Sequence, residues 1–183
     1  LMSCLFRHAS PYLILLGTTS VTEQEIRHYD EECEEDVFDY NILVSIQFAN
    51  NEIGTIQNIK EIASLVHEYG AVFHTDAVQA FGNVFINVDE FGIDMLSASG
   101  HKIGCPKGIG FLYKKENIKI KPLIYGSQMD GMRGGTENVP YIIGMDRAVK
   151  LLEDEHSVAK EMEMIIKRNY FITKLRELGC VIN

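Results

Sequence analysis

The chain has 183 residues, 46% apolar and 23% charged, with a formal net charge of -9. That is the usage of a globular chain long enough to bury one core. The negative charge excludes a phosphate-backbone binder, which needs clustered Lys and Arg, so nucleic acid is not an expected partner.

In chain order, residues 1–40 come first as an N-terminal segment whose path the pattern leaves open. A short apolar run at 13–16 beside Tyr12 is followed by Thr18-Thr19-Ser20 and an acidic run at 30–36, which reads as solvated surface or loop. The apolar run is too short to cross a bilayer and lacks a signal-peptide pattern, so no membrane role is expected. The opening Leu1-Met2 and the abrupt end at Val181-Ile182-Asn183 are those expected of a piece of a longer protein.

Residues 42–48, mostly apolar and partly β-branched, predict a strand buried on both faces. Asn58 stands where a helix cap belongs. Ile59, Ile62, Ala63, Leu65 and Val66 then recur at helical spacing, and Gly70 ends the pattern. Further strands are predicted at 71–75, 93–97 and 110–114, separated by turn-rich connections. After Pro140 a helical pattern runs over 142–178 amid dense charge, with a break near Ser157 and a stop at Gly179. The expected fold class is α/β: a mostly parallel sheet flanked by helices, followed by a long C-terminal helix. Residues 41–140 would form the cofactor-binding α/β core and residues 141–183 the long helix.

Four cysteines, Cys4, Cys33, Cys105 and Cys180, lie far apart without a C-x-x-C pair. No zinc site or dithiol switch is implied, and reduced thiols in a cytoplasmic protein are expected.

Alternating strands and helices pair in parallel through right-handed crossovers and place ligands at the carboxyl ends of the strands. Three segments fall there: Asn50-Asn51-Glu52-Ile53-Gly54, Asp76-Ala77-Val78-Gln79 and Ser99-Gly100-His101-Lys102. Each has a bland explanation alone: Asn-Asn and Gly make turns, an Asp after a strand caps a helix, and a loop Lys is solvated. Their coincidence at one sheet edge marks a site.

The segments FANNEIGTIQNI, HTDAVQAFG, SASGHKIGCPKGIGFLY and MRGGTENVPYIIGM, taken in this order, make residues 42–152 resemble the large domain of cysteine desulfurases. These belong to the class V aminotransferase family of fold-type I pyridoxal-phosphate enzymes. The resemblance implies pyridoxal 5'-phosphate as cofactor, a homodimer, L-cysteine or a related amino acid as substrate and a sulfur-acceptor protein in iron-sulfur or thio-cofactor assembly. Metal ligands are not implied.

Such a cofactor needs an amine for its aldehyde, an acid beside its ring nitrogen and an anchor for its phosphate. Lys102 would form the Schiff base and then move the substrate's α-proton. Asp76 would keep the ring nitrogen protonated. The resemblance further assigns Gln79 and Asn51 to the ring's phenolic oxygen, with Asn51 also near the substrate carboxylate, and Ser99 and His101 to the phosphate. It has Thr136 reach the phosphate of the neighbouring subunit.

Other residues receive structural roles. Cys105 follows Lys102 too closely to be the family's mobile-loop nucleophile, and His74, facing the same way as Asp76, fits packing first and a role near the ring second. The family's upstream phosphate turn and ring-stacking histidine, and its downstream cysteine nucleophile and substrate-binding arginine, have no counterpart here. Met129-Asp130 stands where the family has Glu-Arg. The same cofactor chemistry also fits selenocysteine lyase, kynureninase or a small-amino-acid aminotransferase, and a truncated, non-catalytic dimerisation module is the remaining alternative.

Overall fold

The computed structural model describes residues 12–17, 41–153 and 155–182. The acidic run at 30–36, Cys4 and Cys33 lie outside the described residues. A five-stranded sheet in the order β1-β2-β3-β4-β5 forms the frame. Its strands are β1 (Tyr12–Gly17), β2 (Asn41–Gln47), β3 (Val72–Asp76), β4 (Met95–Ser99) and β5 (Gly110–Lys114). The first four pair in parallel and β5 returns antiparallel to β4. The short apolar run near the start, read from sequence as surface or loop, is thus the edge strand β1.

The crossover from β2 to β3 carries helix α1 (Ile59–Glu68). Its buried residues Ile59, Ala63 and Val66 repeat every three to four positions, one stripe of a 3.6-residue period. That stripe joins one core with Val44, Ile46, Phe73, Leu96 and Ala98, which alternate along β2, β3 and β4. Gly70, at φ 66°, takes the left-handed conformation that lets the chain leave α1, and the Ala71 N–H returns to the Val66 carbonyl at 3.2 Å. Asn58 occupies the cap position, but its side chain makes no capping bond.

Beyond β5 the chain reaches α2 (Val139–Leu152) and α3 (Glu155–Glu177). The C-terminal helical pattern is therefore interrupted between Leu152 and Glu155, ahead of Ser157 where the charge pattern placed the break. At the start of α2 the Asn138 side chain accepts from the Tyr141 N–H and Pro140 sits in the first turn, where a missing N–H costs nothing. The strand predicted at 93–97 starts two residues later, at Met95. Ile93 and Asp94 are buried but lie ahead of the β4 ladder.

Alternation leaves a second, half-buried sheet face. Register places Ser45 beside His74 and Met95, and in the next row Gln47 beside Asp76 and Ser97. The α1 face is apolar apart from Thr75, whereas this face turns polar towards the carboxyl ends of the strands.

Candidate functional site

Asp76 is the last residue of β3, and the chain turns immediately after it. Its Oδ1 accepts from the Val78 N–H at 2.9 Å, the short loop bond that makes Asp a good residue at a strand exit. Among the described residues the carboxylate pairs with no cation, and its second oxygen has no hydrogen-bond partner. A half-buried carboxylate left this way is set to receive a cationic or N–H-bearing group, because a desolvated charge without a partner is costly.

On the neighbouring strand, β4 ends at Ser99 and passes into a 3-10 turn, Gly100–Ile103, which carries His101 and Lys102. The turn is held from below. The Gly100 N–H donates to the Ile109 carbonyl at 2.9 Å, and the Cys105 N–H donates to the Gly100 carbonyl at 3.0 Å. Gly100 is packed so closely that an added Cβ would lie 2.9 Å from Met145 Sδ of α2 and 3.0 Å from Cys105 Cβ. Glycine here allows the turn to sit directly on α2. Ser99 Oγ and His101 Nδ1 are 2.7 Å apart. Lys102 is exposed and forms no hydrogen bond or ion pair among the described residues.

The remaining predicted residues fall into two groups. Gln79 is half-buried in the turn after Asp76, and Asn51 is exposed in the loop after β2. That loop is shaped by Asn50, whose side-chain oxygen accepts from the N–H groups of Glu52 at 2.8 Å and Ile53 at 3.1 Å. Both residues follow strands that flank or form the Asp76 edge. Thr136, by contrast, is exposed in the loop ahead of α2 and bonds to none of the others. Its loop is set by Gln128, whose Oε1 accepts from the Gly135 N–H at 3.1 Å, and by Gly134, where a Cβ would fall 2.3 Å from the Tyr125 carbonyl oxygen.

Sequence reasoning missed the depth of the polar face. Gln47 and Ser97 flank Asp76 in register, and one row below it Ser45 Oγ lies 2.6 Å from His74 Nδ1. Period-two alternation from Asp76 back through His74, and from Gln47 back through Ser45, carried that signal. Burial lowers the His74 pKa, and the nearby Asp76 charge raises it by less, so the imidazole is neutral near pH 7. Cys105 is buried against α2, with Sγ 3.9 Å from the Tyr141 carbonyl oxygen, as expected for a packing residue. A cavity of about 350 Å³ lined by Leu43, Val72, Met95 and residues 117–120 lies towards the amino ends of the strands, away from Lys102.

A profile described as Aminotransferase class-V matches residues 18–182. The chain belongs to the class-V aminotransferase family. Members of this family are pyridoxal-phosphate-dependent enzymes. Among class-V relatives, "Cysteine desulfurase IscS" of Dictyoglomus turgidum is 50% identical over 138 residues, covering 74% of this chain and 34% of that protein. The solved NifS-like protein from Rickettsia africae superposes with a TM-score of 0.64 at 36% identity, over 81% of this chain and 44% of that one. A structure titled "SspA in complex with cysteine" superposes with a TM-score of 0.60 at 39% identity, over 81% and 42%. The chain thus spans between a third and a half of the length of these relatives.

The donor set of this class-V chain fits the family's cofactor. It supplies an amine and, on the adjacent strand, a carboxylate oxygen, both without a partner among the described residues, and a hydroxyl and an imidazole flanking a glycine.

Proposed function

We propose that this chain is the cofactor-holding part of a pyridoxal-phosphate-dependent cysteine desulfurase, in which L-cysteine becomes L-alanine and its sulfur passes to a cysteine thiol as a persulfide. The observation that carries the proposal is the pairing of Lys102 and Asp76: two charged groups without a counter-ion among the described residues, at the carboxyl ends of adjacent parallel strands. Similarity to relatives named cysteine desulfurases, and to a protein solved with cysteine, supports cysteine as the substrate over other amino acids.

When bound, the cofactor supplies an electron sink for the bond breaking at the substrate's α-carbon. The chain's own groups do the rest. Lys102 Nζ would hold the cofactor and would be the group that moves the proton at the substrate's α-carbon. Asp76 holds a proton on the ring nitrogen by offering a fixed negative charge in a partly desolvated place. Ser99 and His101 would hold the phosphate, with Gly100 allowing close backbone approach. Gln79 and Asn51 would hold the phenolic oxygen, and Asn51 would also orient the substrate carboxylate.

A homodimer follows from assigning Thr136 to a neighbouring subunit's phosphate. Leu123, Tyr125 and Ile143, which are 94%, 79% and 62% exposed in the single chain, flank that loop in sequence and support an interface there. The sulfur acceptor is a protein thiol, and the work belongs to the reducing cytoplasm.

Incubation with pyridoxal phosphate, followed by gel filtration, tests the proposal. The wild-type chain is expected to retain a yellow chromophore, and Lys102→Ala is expected to elute colourless while keeping its far-UV spectrum. A Lys102→Ala protein as yellow as wild type would contradict it. In the complete protein, L-cysteine should yield alanine in equal amount to the sulfur transferred.

A further inference from the structure

The half-buried pair Ser45 and His74 has no place in the chemistry described so far, yet it lies one row below the group on which that chemistry depends. Ser45 Oγ and His74 Nδ1 are 2.6 Å apart, which fixes the ring's orientation. His74 and Asp76 are two positions apart on β3, so both side chains emerge on the half-buried face. Their Cα atoms are separated by roughly 6.6 Å along the strand. Among the described residues Nε2 of His74 has no hydrogen-bond partner, and one oxygen of Asp76 is likewise without one. The Ser45 bond satisfies one ring nitrogen but leaves Nε2 without a partner among the described residues, a cost that an apolar side chain would avoid on a face already carrying Leu43, Val72 and Met95.

We propose that His74 is a positioning residue for Asp76: Ser45 donates its hydroxyl proton to Nδ1, and Nε2–H donates through one bridging water to the Asp76 carboxylate. A water suits the gap, because no direct hydrogen bond joins the two groups and both ends are polar. The arrangement fixes one tautomer. With Nδ1 accepting, Nε2 must carry the proton, so the face shown to Asp76 is always a donor. A donor at that oxygen holds the carboxylate aimed at the cofactor's ring nitrogen. Burial, which keeps the imidazole uncharged, prevents it from competing with the ring as a cation.

The inference rests on the assignment of Asp76 to the ring nitrogen, and the experiment separates the two. The chain and its variants His74→Leu, His74→Gln, Ser45→Ala and Lys102→Ala would be compared for pyridoxal phosphate affinity by equilibrium dialysis. The nitrogen-15 shift of ring-labelled cofactor would report protonation at the ring.

His74→Leu is expected to weaken affinity about tenfold, the usual scale for losing an outer partner of a ligating group, and to move the shift towards neutral pyridine. His74→Gln, whose amide reaches as far as Nε2, should restore most of both signals, and Ser45→Ala should fall between. A folded His74→Leu chain with wild-type affinity and shift overturns the proposal. If that variant fails to fold, an unchanged Ser45→Ala chain overturns it equally. A wild-type chain that binds no cofactor, or a Lys102→Ala chain that binds it as wild type does, removes the underlying assignment and the inference with it.

Discussion

The two oxygens of Asp76 have separable tasks in the proposed site. One closes the turn onto the Val78 N–H, and the other, without a partner among the described residues, is the one the proposal gives to the cofactor. Asn keeps a carbonyl oxygen for the turn while removing the charge. Asp76→Asn is therefore expected to melt within about 2 °C of wild type, as for a substitution that keeps its local bond, yet to lose at least about tenfold in cofactor affinity, the equivalent of one pKa unit of lost interaction with the protonated ring. Thermal melting and dialysis on the same sample check both halves, and an affinity equal to wild type would show that the charge is not used. That Asp76, Ser99, His101 and Lys102 stand at or just past the carboxyl ends of strands was legible in the sequence, because apolar strand patterns run up to them. The pairing of Ser45 with His74 was not, since a contact between residues on neighbouring strands depends on register, which no local pattern states.

Elements matter here through the support of the Lys102 turn. Gly100 of that turn and Gly82 of the β3–β4 connection are both pressed against neighbours: a Cβ at Gly82 would lie 2.8 Å from Ile103 and 2.9 Å from Leu152. The turn is thus clamped between the connection and α2. Gly100→Ala should push Met145 and Ile109 aside, destabilising the chain by about 2 kcal/mol, the usual cost of overpacking. It should also loosen cofactor binding by displacing Lys102. Denaturant melts and dialysis would show both effects, whereas Met145→Ala introduced with it should recover part of the stability. Strand and helix types were readable from period because apolar residues alternate in β2 and recur every three to four in α1. Boundaries were less so. Ile93 and Asp94 look like strand residues because they are buried, yet Asp94 is held by side-chain and backbone bonds that pattern cannot reveal.

At the scale of the molecule Asp94 ties three elements together. Its carboxylate accepts from His67 of α1 at 2.7 Å, from the Phe73 N–H of β3 at 2.9 Å and from Lys115 after β5 at 2.9 Å. Burial alone would raise its pKa, but the Lys115, Phe73 and His67 donors together outweigh burial and hold it below the usual 3.8. A depressed carboxylate pKa contributes stability that is complete above the unfolded value and is lost as pH falls through the folded one. His74 adds an earlier loss: its pKa lies below the ordinary 6.5, so protons bind the unfolded chain more readily once pH drops below that value. Stability should therefore decline in two stages on acidification, the first absent in His74→Leu and the second reduced in Asp94→Asn. Asp94→Asn should also cost about 2 kcal/mol at neutral pH by leaving the Lys115 charge without its partner. Urea melts from pH 8 to pH 3 would resolve both stages.

The proposed function depends on one arrangement, a lysine just past β4 and an acid at the end of the adjacent parallel strand β3. Borohydride reduction of the cofactor-treated chain, followed by peptide mass spectrometry, tests that arrangement most directly. The expected result is a single pyridoxyl phosphate adduct on Lys102. An adduct on Lys107 or another lysine, or none at all, would contradict it.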